Sequence, residues 1–118
     1  MYYPEYTQEN KSQMSNYNSL KNKVAGIPKV TAKPMFGHQC YSISGKVFVG
    51  FNNKNDWQII VRLPKDEQQI AIKTKGIKPF SHGAKAGWAE MDMSQVTTNN
   101  ALKWVKKGHE HAKILAKK

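Results

Sequence analysis

Residues 35–63, MFGHQCYSISGKVFVGFNNKNDWQIIVRL, decide the fold. Three apolar-rich runs are separated by two turn signals, Ser44-Gly45 and the polar stretch 52–56, which is the pattern of an antiparallel meander of three strands. In the first run, around residues 39–43, Cys40 is followed by Tyr41 and Ile43 at alternate positions. In the second, Val47 and Val49 oppose Phe48 and Gly50. In the third, Trp57, Ile59 and Val61 face one way and Gln58, Ile60 and Arg62 the other. Apolar residues on more than one face suit a central strand covered by helices on one side.

Upstream of the meander, residues 29–34 form a short extended segment, and Pro34 disfavours a regular central strand beyond that point. Before it, Met14, Tyr17, Leu20 and Val24 recur at spacings of three and four, one face of an amphipathic helix over residues 11–24 that Gly26 and Pro28 end. Residues 1–10, with three tyrosines and no periodicity, read as a flexible arm.

Downstream, Pro64 and Asp66 open a second helix that runs to about Thr74 with Ile70 inward, and Gly76 closes it. Residues 76–87, GIKPFSHGAKAG, are rich in glycine, proline and lysine and read as a loop anchored by Phe80 alone. Residues 88–93 alternate as a strand, with Trp88, Glu90 and Asp92 on one side and Ala89, Met91 and Met93 on the other. A last helix, residues 100–116 with Thr98 or Asn99 as N-cap, places Leu102, Val105, His109, Ala112 and Ala116 on one face. The expected fold class is α+β: a two-layer sandwich, an antiparallel sheet with helices packed on one face, formed by residues 11–118 as a single domain.

The 118 residues carry a net charge of +11, nearly all from lysine, Arg62 being the only arginine. Six lysines against one glutamate give the last twenty residues a net of +5. Counterion release makes such a surface attractive to polyanions, and Lys73, Lys75, Lys78, Lys85, Lys103, Lys106, Lys113 and Lys117 are the candidate polyanion-binding residues. Scarce arginine weighs toward a solvated, solubilising surface instead. The single cysteine, Cys40, suits a reducing compartment. Neither an apolar leader core nor a membrane-spanning run is visible, so a cytoplasmic location without membrane association is expected.

Catalytic patterns are weak. His109 and His111 lie two apart on a helix, about 200° apart by the helical period, and cannot easily share an ion. His38 and Cys40 supply only two ligands, and Cys40 lacks the surroundings of an activated thiolate. Glu90 and Asp92 lie roughly 7 Å apart on one strand face, near the range of paired carboxylates, with no nucleophile or metal motif beside them. The 73–78 run KTKGIK lacks phosphate-loop spacing. Trp57, Trp88 and Trp104 fall where packing is expected, rather than in an exposed row between lysines. No enzyme, metal or cofactor is expected from these residues.

Lys33-Pro-Met-Phe-Gly37, Cys40-Tyr41, Gly45-Lys46-Val-Phe48, Val61-Arg62-Leu63, Pro79-Phe80, Gly87-Trp88 and the helix with Trp104 together resemble the TfoX N-terminal domain family over residues 29–115. That resemblance implies a two-layer α/β fold similar to the secretion-chaperone-like and YjbR-like domains. It also implies a non-enzymatic regulatory or interaction role, as in a transcriptional coregulator of competence, exercised through a protein partner. Full-length regulators of the family carry a second domain for which these residues leave no room. A homodimer is a further expectation. The alternative is sequence-independent nucleic-acid binding through the lysine-rich surface.

Overall fold

A computed structural model describes the backbone of residues 8–35, 37–54 and 58–117, with side chains from Tyr17 onward in those ranges. The order of elements is α1 (Gln8–Ala25), β1 (Val30–Met35), β2 (His38–Ile43), β3 (Lys46–Asn52), β4 (Gln58–Arg62), α2 (Lys65–Ala71), β5 (Ile77–Pro79), a single 3-10 turn (Ala84–Ala86), β6 (Trp88–Asp92) and α3 (Thr98–Ala116). The strands form one antiparallel sheet of order β1-β2-β3-β4-β6-β5, with the helices packed against it. This is the expected α+β sandwich.

The β2–β3 hairpin closes through Ser44 (φ 52°) and Gly45 (φ 80°), the paired positive dihedrals of a two-residue turn whose twist matches its strands. Beyond the turn the simple alternation expected of β3 fails. Register passes from Tyr41 opposite Val49 to Ser42 opposite Val47, so Phe48 is an extra residue, a β-bulge. Phe48 and Val49 therefore both enter the core under the helices, while Val47 turns to the opposite face.

That core joins Phe51, Ile59, Val61 and Leu63 of the central strands to Trp104 and Val105 of α3 and to Leu20 and Val24 of α1. Tyr17 completes it: its ring meets Phe51 edge-on at 5.4 Å and its hydroxyl donates to the Asn52 carbonyl at 3.0 Å. Gly108 lets α3 lie close on the sheet. A Cβ there would stand 2.8 Å from Val61 Cγ2 and 2.9 Å from the Arg62 carbonyl oxygen.

Several expectations need correction. The extended segment is not among them: it pairs as β1 at the sheet edge, where Pro34 is tolerated. Gln8 already lies in α1, so the helix takes in the last residues of the expected arm. Helix α2 stops at Ala71, and its inward residues are Gln68 and Ala71, whereas Ile70 is 53% exposed. The 76–87 segment contains β5 and a second anchor, buried Ile77. Thr97 is the N-cap of α3, accepting from the Asn100 N–H. On α3, Trp104 and Gly108 take the inner face while His109 is only half-buried. Expectations for residues 1–7, for Trp57 and for the side chain of Met14 lie outside the described residues, as does Phe36 of the family motif. Among the described residues no helix is long and apolar enough to cross a membrane.

Candidate functional site

The sheet face away from the helices carries the site. Direct cross-strand pairing puts Lys33, Cys40, Gly50, Ile60, Glu90 and Lys78 in one row, one residue from each of the six strands. Because side chains alternate across a strand, the whole row shares one face. Gly50 keeps its centre low, since a Cβ there would meet Ile60 at 3.0 Å and the Cys40 sulfur at 3.2 Å. Cys40 and Ile60 are buried without belonging to the core beneath the helices.

Above this floor lies a groove of about 770 Å³. Met35 and His38 line it at one side, with Asn52 and Gln58 joined to each other by a 3.0 Å hydrogen bond. Trp88 and Glu90 of β6 line the other side, and Phe80, Ser81 and His82 form its wall. The wall reaches across the face: Phe80 meets His38 of β2 edge-on at 6.1 Å and His82 at 5.5 Å.

This wall is pinned from α2. Buried Gln68 donates through Nε2 to the carbonyls of Ala84 (3.0 Å) and Trp88 (2.8 Å), and Lys65 donates to the Ala84 carbonyl at 3.1 Å. Arg62 adds a bond to the Ala86 carbonyl at 3.2 Å, and Phe80 N–H donates to the Trp88 carbonyl at 3.1 Å. Trp88 lies against Gly83, where a Cβ would fall 2.5 Å from Trp88 Cδ1. Only glycine fits beneath that ring.

Glu90 and Asp92, which share one strand face, are in separate employment. Glu90 faces Lys78, Nζ to Oε1 3.4 Å, and its side chain is 16% exposed. Asp92 accepts from Ser94 N–H, from the Ser94 hydroxyl at 2.6 Å and from Gln95. Burial pushes its carboxyl up, but those Ser94 and Gln95 bonds and the Lys78 charge outweigh that and hold it below the usual value. Burial pushes the Cys40 thiol up, which keeps it in the unreactive form. Among the described residues no three His, Cys, Asp or Glu side chains are placed to hold a metal ion.

The eight candidate lysines do not gather into one patch. Lys103, Lys106, Lys113 and Lys117 share the outer side of α3, opposite its buried face, with Glu110 among them and 3.6 Å from Lys113. Lys103 also stands over the Trp104 ring at 4.8 Å. Lys78 belongs to the open face, on the other side of the sheet. Lys73, Lys75 and Lys85 are exposed on the connections before and after β5.

Trp88 is the residue that sequence reasoning misplaced. Packing was expected for it; it is half-buried on the open face, and only Trp104 of the described tryptophans is core. The signal was present, because alternation put Trp88 on the side of Glu90 and Asp92. His38 stands out in the sequence only beside Cys40, as a possible metal ligand, and Gly50, Ser81 and His82 give no signal. Compared with known proteins, the chain matches no protein-family model and no curated protein.

Proposed function

We propose that this chain is a non-enzymatic interaction domain of the TfoX N-terminal type and that it holds its partner on the open face of the sheet. What supports this reading is the groove. A solvated sheet face carries alternating polar side chains, whereas this one presents rings, a buried thiol and a mostly buried carboxylate around a ligand-sized hollow. The chemistry on hand is that of binding. Cys40 is kept protonated, Asp92 is held by its own turn, and Glu90 is engaged by Lys78.

A regulatory role in transcription or competence would be exercised by contacts at this face. Self-association would use β1, the longer free edge, where Lys33 and Pro34 limit strand addition. The lone thiol of Cys40 supports a cytoplasmic setting.

A second reading, sequence-independent nucleic-acid binding, is favoured by the stripe of four lysines on α3. Replacing all four by glutamine then weakens binding and flattens its salt dependence, and an unchanged slope rules that surface out.

The test of the main reading is photo-crosslinking in cells from a reactive side chain placed at Ser81 in the groove wall or at Lys106 on α3. Adducts from position 81 that vanish with Trp88→Ala support the open face. Adducts from position 106 alone overturn it.

A further inference from the structure

The lining of the groove specifies an occupant. Resting on the open face as the working surface, we infer that the groove seats an unpaired base of a single-stranded nucleic acid. Three observations converge on this chemistry.

The first is the rings. Trp88 and Phe80 are half-buried at the groove and belong to no core cluster, with His38 and His82 edge-on to Phe80. Aromatic side chains on an open sheet face are the platform on which splayed-out bases stack. The second is Glu90. Lys78 engages its Oε1, which leaves Oε2 to accept from an N–H donor. The amino group of cytosine is such a donor, and uracil has a carbonyl at the same position.

The third is the placing of positive charge. Lys33 and Lys78 end the same row as Glu90, five inter-strand steps or about 24 Å apart along the sheet. Arg62 stands opposite Trp88 on β4. A strand laid across the row would meet Lys33 at one end, the low centre at Gly50 and Ile60, and at the other end Lys78 with the Trp88 and Phe80 rings beside it, within a protein of net charge +11. A peptide backbone, unlike a phosphate chain, carries no charge for the two terminal lysines. A duplex keeps its bases stacked within itself, out of reach of Trp88.

The test is fluorescence anisotropy with labelled oligocytidylate, oligouridylate and a duplex, each of about ten nucleotides, at about 50 mM salt. The inference requires single strands to bind tighter than the duplex and cytidylate to bind roughly tenfold tighter than uridylate. Glu90→Gln, which can both donate and accept, erases the preference. Trp88→Ala weakens single-strand binding roughly tenfold, Trp88→Phe restores most of it, and glutamine at the four α3 lysines leaves the base preference intact. Equal binding of duplex and single strand, or indifference to Trp88→Ala and Glu90→Gln, overturns the inference. If no oligonucleotide binds while position 81 still crosslinks a protein, the base-binding inference fails and the open-face reading stands. If position 81 yields no adduct either, both fail.

Discussion

The side-chain amide of Gln68, buried in α2, donates to the backbone carbonyl of Trp88 at 2.8 Å and to that of Ala84 at 3.0 Å. One residue on the helical layer therefore fixes the start of β6 and the wall of a groove on the opposite side of the sheet. Replacing it with leucine removes both donors without opening a large hole. The expected loss is about 1–3 kcal/mol of stability in urea unfolding, together with faster amide exchange over residues 80–87. Unchanged exchange there would show that the wall does not depend on α2.

Gly108 sets the distance between α3 and the sheet. With Val61 and the Arg62 backbone where a Cβ would stand, Gly108→Ala forces the helix outward and is expected to destabilise by about 1–3 kcal/mol, although alanine is the better helix former. A neutral or stabilising outcome in the same unfolding measurement would mean that the helix is more loosely seated than the contacts state.

His109 packs its ring edge-on against Phe48 at 5.3 Å and leaves Nε2 buried with no hydrogen-bond partner among the described residues. An apolar replacement removes that unsatisfied atom. His109→Leu is expected to be neutral or to stabilise by up to about 1 kcal/mol, visible as a higher urea midpoint. Clear destabilisation would point to a partner for the ring nitrogen.

Much of this architecture is legible in the sequence, and the failures have physical causes. Ser44-Gly45 is a complete turn signal, and the alternation of residues 88–93 is regular enough to assign both faces of β6. The bulge at Phe48 is invisible because an inserted residue changes which neighbours share a face without changing composition. Helix α2 is seven residues long, too short for periodicity to outvote hydrophobicity. Its inner face is Gln68 and Ala71, so Ile70 attracted the wrong assignment. Strand β5 is three residues between Gly76 and Phe80, with no room for alternation. The groove was the least legible part, since the Phe80–His38 contact joins the segment after β5 to β2, on the other side of the sheet centre.

The hydrogen bonds around Asp92 have a pH signature. Its carboxyl is held below the usual value in the folded chain, so its contribution to stability is fully present above the unfolded value of about 4 and is lost as pH falls through the lowered folded value. Asp92→Ala removes that dependence. The variant is expected to lose less stability than the parent on acidification below about pH 4, at the cost of lower stability near neutrality. Parallel pH profiles would show that Ser94 and Gln95 do not favour the ionised form.

The central claim is that the open sheet face is the working surface and that its groove seats an unpaired base, and amide NMR during titration with single-stranded oligocytidylate tests it most directly. The account predicts shifts concentrated at Cys40, Gly50, Ile60, Glu90 and the Trp88 indole, with α3 little changed. Shifts confined to Lys103, Lys106, Lys113 and Lys117, with the groove silent, would contradict it.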